Sequence, residues 1–126
     1  MNGQVARTTK RSVLCDPWDV VVVPFPFVER RGAKRRPALV VSKRAFNEHG
    51  HSLLAMITTQ THAAWPGDVL LEGRVAAGLD FPCIVRLKLF TLDNRLLLRT
   101  IGTLAARDRD QVRAGISKYL FPNLAR

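Results

Sequence analysis

The sequence predicts a mainly β chain of the α+β class: a small, strongly bent antiparallel sheet or barrel with one C-terminal helix. Three observations predict it. Short β-branched or alternating apolar segments recur between residues 18 and 104. Proline, glycine, aspartate and asparagine punctuate them. Only the last stretch, residues 108–121, places its apolar side chains (Val112, Ile116, Tyr119, Leu120) at helical spacing. Several short strands followed by one helix bury their faces most simply as a curled sheet with the helix packed on it.

In chain order, residues 1–13 are polar, basic and aperiodic and read as a flexible tail, leaving 14–126 as one folded domain. Residues 18–23 form a buried first strand, ended by Pro24-Phe25-Pro26-Phe27 because proline removes ladder donors. A basic loop over 28–36 leads into a second strand at 37–42, and 43–50 is a short irregular or helical connection. The third strand is 53–59, with Leu54, Met56 and Thr58 on one face and Leu53, Ala55, Ile57 and Thr59 on the other. A loop at 60–66 precedes a short strand at 67–71 and one helical turn at 74–78 ended by Gly78. Residues 83–89 alternate, with Cys83, Val85, Leu87 and Leu89 facing inward and Ile84, Arg86 and Lys88 outward. Asp93-Asn94 marks a turn into a strand at 96–104. In the helix, Ala114-Gly115 predicts close packing on the sheet.

Composition bounds the partners. The 126 residues are enough to bury a core without metal or disulfide staples, and a hydrophobic content of 47% excludes a disordered chain. Twenty Lys+Arg against ten Asp+Glu give a formal charge of +10. That balance calls for an acidic partner: nucleic acid first, an acidic protein segment second, an anionic membrane a distant third. Cys15 and Cys83 have neither metal nor redox spacing and read as buried, inert thiols in a reducing compartment. No signal peptide and no run of about 18 apolar residues is present, so a cytoplasmic protein without a membrane partner is expected.

Several standard sites are missing: a Gly-rich phosphate loop, zinc-type Cys/His spacing and a serine-nucleophile elbow. His49 and His51 lack a third ligand and read as solvated, so neither a metal nor a cofactor is expected. What remains is a cationic site with a hydroxyl. The stretch Arg30-Arg31-Gly32-Ala33-Lys34-Arg35-Arg36-Pro37 runs from a dense basic loop into an apolar strand. Pro37 biases Arg36 towards extended backbone, so its guanidinium is launched from the first position of that strand. A guanidinium fork matches the equatorial oxygens of a five-coordinate phosphorus, and a threonine hydroxyl can add a further hydrogen bond. RNA carries its own nucleophile, the 2′-OH, so such a site needs to supply only alignment and charge stabilisation.

Six blocks in order resemble the MazF/PemK-type toxins of bacterial toxin–antitoxin pairs. They are Asp19-Val-Val-Val-Val-Pro-Phe-Pro-Phe27, Arg35-Arg-Pro-Ala-Leu-Val-Val-Ser42, Ala55-Met-Ile-Thr-Thr-Gln60 with Trp65-Pro-Gly-Asp-Val69, Gly78-Leu79 through Val85, Leu89-Phe-Thr-Leu-Asp93, and Ile101-Gly-Thr-Leu104. The resemblance implies an SH3-like antiparallel barrel with a C-terminal helix (PemK/CcdB-like), usually a homodimer. It also implies a metal-independent endoribonuclease that cuts single-stranded RNA, often mRNA, to a 2′,3′-cyclic phosphate and a 5′-OH. The family's catalytic arginine and threonine fall on Arg36 and Thr58. Glu29 and, more weakly, His62 are candidates for the general base. Arg30, Arg31, Lys34, Arg35, Thr59, Gln60, Arg86 and Lys88 are expected to bind RNA or an acidic antitoxin segment.

Two departures stand out. Trp18 occupies the position before Asp19 where the family usually has glycine, and the first loop is shorter and far more basic than in many members, so no RNA sequence preference carries over. Two other readings compete. A CcdB-like toxin would bind gyrase without nuclease activity, and an inactive paralogue would hold only RNA or antitoxin. The presence of both Arg36 and Thr58 favours the nuclease.

Overall fold

The computed structural model describes residues 14–25, 32–59 and 63–122. The tail at 1–13 and the site candidates Glu29, Arg30, Arg31, Gln60 and His62 lie outside them. In chain order the elements are β1 (Asp19–Phe25), β2 (Lys34–Val40), α1 (Arg44–Asn47), β3 (His51–Thr59), β4 (Val69–Leu70), β5 (Cys83–Asp93), a 3₁₀ turn (Asn94–Leu96), β6 (Arg99–Thr103) and α2 (Ala106–Tyr119). The strands form one antiparallel sheet in the order β4-β5-β3-β2-β1-β6.

The sheet curls into a half-barrel because both faces carry apolar side chains and each must be covered. One face packs Val20, Leu39, Ala55, Ile57 and Val85 against Leu104 and Val112 of the C-terminal segment. The other gathers Val21, Val23, Ala38, Val40 and Leu54 against Cys15, Leu92 and Leu97. The run Val20–Val23 is therefore buried on both sides, which explains an unbroken β-branched stretch in place of alternation.

Residues 71–82 bridge the open edges. Leu71 N donates to Cys83 O at 3.0 Å, and Thr103 N donates to Ala76 O at 3.0 Å, so the bridge is pinned to β5 at one end and β6 at the other. Two glycines permit the approach. Gly78 has φ +76°, and a Cβ there would lie 2.1 Å from Ile101 O; a Cβ on Gly102 would lie 2.4 Å from the Ala77 carbonyl carbon.

Several expectations shift at their boundaries. β2 starts at Lys34, so Arg36 is its third residue and not its first. The reason is pairing: Lys34, Arg35 and Arg36 register with Phe25, Pro24 and Val23 of β1, which likewise continues past the expected stop at Pro24. β5 extends to Asp93, four residues beyond the expected end at 89, because His51–Leu54 of β3 pair with its second half. The strand expected from residue 96 begins at Arg99, since the Asp93 carboxylate accepts from Arg95 N and winds the 3₁₀ turn first.

Ile84, expected to face outward, is only 6% exposed because it is sandwiched between Thr58 of β3 and Leu70 of β4. In α2, Val112 is buried and Gly115 packs on the Gly67 carbonyl, but Tyr119, expected in the apolar stripe, stands 49% exposed. Trp18 adopts φ +78°, the left-handed conformation that glycine enters freely. Its N–H donates to Val40 O at 2.7 Å, its carbonyl accepts from Leu104 N at 2.9 Å, and Arg113 lies 5.2 Å from its ring. These contacts hold a tryptophan where the backbone alone would favour glycine.

Buried polar groups in this fold serve structure. Asn47 donates to Cys15 O at 2.8 Å and Asn94 to Asn47 O at 2.7 Å, while Ser52 donates to Asn94 Oδ1 at 2.7 Å. Together they tie α1 to β3 and the 3₁₀ turn. The buried Asp108 carboxylate accepts from Glu72 N at 3.1 Å and Gly73 N at 2.8 Å, fixing the start of α2 to the bridge. Among the described residues, no helix is long and apolar enough to cross a membrane.

Candidate functional site

The site arises where the sheet splits. β2 and β3 are paired only through Ala38↔Met56, Leu39↔Ala55 and Val40↔Leu54. Beyond Ala38, residues 34–37 of β2 stay on β1, while residues 57–59 of β3 stay on β5. The parting strands leave a cleft of about 630 Å³. Pro37 sits at the fork, where a missing N–H donor costs no ladder bond to β3.

The alternation of side chains decides which of them share a face. Counting two residues from the last pair, Ala38↔Met56, brings Arg36 opposite Thr58; counting three brings Arg35 opposite Thr59. Successive residues alternate faces, so Arg36 and Thr58 share one face and Arg35 and Thr59 the other. All four line the cleft. The Arg36 guanidinium carbon lies 5.9 Å from the centre of the Phe25 ring, which restrains the side chain. Thr58 Oγ1 makes a long contact of 3.4 Å to Thr59 O, leaving its hydroxyl able to turn towards a stronger acceptor.

Other predicted cations have different surroundings. Lys34 is exposed on the Phe25 side of β2. Arg86, expected to bind RNA or antitoxin, is committed elsewhere: Nε donates to Asp68 Oδ1 at 3.0 Å and Nη2 to Asp68 Oδ2 at 2.8 Å, with both side chains 14% exposed. It also stacks 5.6 Å from the Trp65 ring. A bidentate pair at this depth is a structural clamp on the 63–68 loop, and it holds the Asp68 carboxyl below the usual carboxylate range. Lys88 lies 5.9 Å from the same ring. Neither Arg86 nor Lys88 lines the cleft.

The cleft also contains residues that the sequence reading did not select. Asp80, Phe81 and Arg99 join the walls. Asp80 and Phe81 arrive on the bridge and Arg99 on β6, so no local spacing links them to Arg36. Cys83 borders the cleft too, but burial pushes its thiol pKa up, away from a reactive thiolate. Among the described residues, no group of three or more His, Cys, Asp or Glu could hold a metal ion.

Comparison with solved structures finds the same architecture. The MazE-MazF complex of Deinococcus radiodurans matches with a TM-score of 0.68 at 24% identity, covering 86% of this chain and 97% of that one. An endoribonuclease in complex with its cognate antitoxin from a mycobacterial species matches at 0.64 with 17% identity, covering 86% and 99%. Mycobacterium tuberculosis toxin MazF-mt6 matches at 0.64 with 22% identity, covering 79% and 93%. A sequence search of curated proteins finds no match. The family model described as PemK-like, MazF-like toxin of type II toxin-antitoxin system matches residues 16–120. With nearly the whole described chain inside that match, this protein belongs to the PemK/MazF-like toxin family.

Proposed function

We propose that this toxin is a metal-independent endoribonuclease that cuts single-stranded RNA in the cleft between β2 and β3. The observation that supports the reading is that Arg36 and Thr58, each two residues past the last β2–β3 pair, line the same cleft where the sheet splits. The ribose 2′-oxygen attacks the adjacent phosphorus, forming the O2′–P bond, and the P–O5′ bond breaks. The products are a 2′,3′-cyclic phosphate and a 5′-OH. Arg36 stabilises the charge that gathers on the phosphoryl oxygens, and Thr58 donates a further hydrogen bond to them or to the departing oxygen. Arginine stays protonated in proteins and cannot accept the 2′-proton. Glu29 and His62, outside the described residues, and water are the candidates for that base.

Arg35, Thr59 and Lys34, with Arg30, Arg31 and Gln60 outside the described residues, extend the cationic rim along which RNA or an acidic antitoxin segment would lie. Two structural neighbours were solved with their antitoxins, which supports an antitoxin as a partner. A homodimer is proposed from the family resemblance.

Incubation of purified protein with long single-stranded RNA in EDTA tests the reading. Wild type should yield fragments ending in cyclic phosphate and 5′-OH, and Arg36→Ala should not. Intact RNA from folded protein would overturn the nuclease and transfer the reading to gyrase binding or to an inactive RNA-binding paralogue.

A further inference from the structure

The cleft has a second wall that phosphate chemistry does not explain. Asp80 stands in it, exposed, in a protein of formal charge +10. Among the described residues no ion pair reaches its carboxylate, although Arg35 and Arg99 line the same cleft. The segment that bears it is held firmly. Arg74 Nη1 donates to Asp80 O at 2.7 Å and to Leu79 O at 3.3 Å, and Gly78 seats its backbone against Ile101. Phe81, the next residue, presents its ring to solvent at 69% exposure and also lines the cleft.

A carboxylate in such a place repels phosphate, so its useful ligand is the uncharged edge of a base. It carries two acceptor oxygens and no donor. Guanine matches this, offering the adjacent donors N1–H and N2–H with no acceptor between them. Uracil offers one N–H flanked by two carbonyls. Cytosine and adenine offer an amino group beside an acceptor nitrogen. An aromatic ring next to the carboxylate supplies a stacking surface for a base, and the two arginines can take the flanking phosphates.

We propose that Asp80 and Phe81 form a guanine-selecting subsite of this cleft, with Arg35 and Arg99 holding the adjoining backbone. This rests on the reading of the cleft as an RNA site, and it adds a base preference to it.

The test uses the full chain and 2′-O-methyl oligouridylates, which cannot be cut because the attacking hydroxyl is blocked. One carries a central guanosine, a second inosine, which lacks the N2 amino group, and a third only uridine. Fluorescence anisotropy should show wild type binding the guanosine oligomer about tenfold more tightly than the inosine one. Asp80→Ala should abolish that difference by weakening guanosine binding more than inosine binding, since inosine keeps only N1–H for the carboxylate, and Phe81→Ala should weaken guanosine and inosine binding together. Equal binding of guanosine and inosine by wild type, or a preference that survives Asp80→Ala, would overturn the subsite. A parallel cutting assay on the unmodified RNAs separates the two ideas. Discrimination without cutting sinks only the nuclease reading, and cutting without discrimination sinks only the subsite.

Discussion

Replacing Arg36 by alanine should separate activity from stability, and the structure sets both magnitudes. The side chain is exposed, forms no ion pair among the described residues and meets the Phe25 ring at 5.9 Å. Losing an exposed cation–π contact costs about 0.5–1 kcal/mol, or roughly 2–4 °C in Tm for a domain of this size. If the guanidinium stabilises charge on the phosphoryl oxygens, its removal should lower the cleavage rate by about 10²–10³-fold. Arg36→Lys keeps the charge but loses the planar fork, and should fall between wild type and alanine. The assay is single-turnover cutting of a defined RNA in EDTA beside a thermal melt of each variant. Undiminished cutting by Arg36→Ala would refute the assignment. So would a melting point lowered by tens of degrees, because the activity loss would then follow from unfolding.

Four further outcomes are expected. Thr58→Ala should slow cutting more than Thr59→Ala, since the register places them on opposite faces; equal losses or the reverse order would show that Thr58 does not share the work of Arg36. Arg86→Ala should destabilise the fold by leaving Asp68 without its bidentate donor, while activity per folded molecule is kept; a lower midpoint in a urea denaturation series is the expected result. The same pair predicts the acid limb: the Asp68 pKa is lowered in the folded state, so the unfolded chain binds more protons and stability rises with pH across the gap. That contribution is full above the unfolded carboxylate value of about 3.9 and is lost as pH falls through the folded one, and Arg86→Ala should flatten this limb. Gly78→Ala should cost more than the roughly 1–2 kcal/mol of a left-handed Cβ alone, because the added carbon would also meet the Ile101 carbonyl; a melt unchanged from wild type would contradict the bridge as described.

Much of this was legible in the chain. The alternating and β-branched segments announced a curled antiparallel sheet with one terminal helix, and six ordered blocks pointed to the PemK/MazF-like family that the family match bears out. The period of two already separated Thr58 from Thr59. Strand ends were less legible, because a ladder partner overrides local preference: Lys34 to Arg36 read as a charged loop yet pair with Phe25 to Val23.

Composition, charge and the alternation of side chains along each strand could be read directly from the chain, since these depend on residues a few positions apart. What those side chains meet depends on how distant strands pack. The split between β2 and β3 follows from each strand's choice of a different outer neighbour. It brings Arg36 across from Thr58, and the bridge and β6 bring Asp80, Phe81 and Arg99 to the same cleft from distant parts of the chain. Arg86 shows the converse. Its outward phase read as a free binding cation, and Asp68, eighteen positions away, turned it into a clamp. A charge pattern records which groups are present, but their partners are chosen by packing over distances that no local spacing encodes.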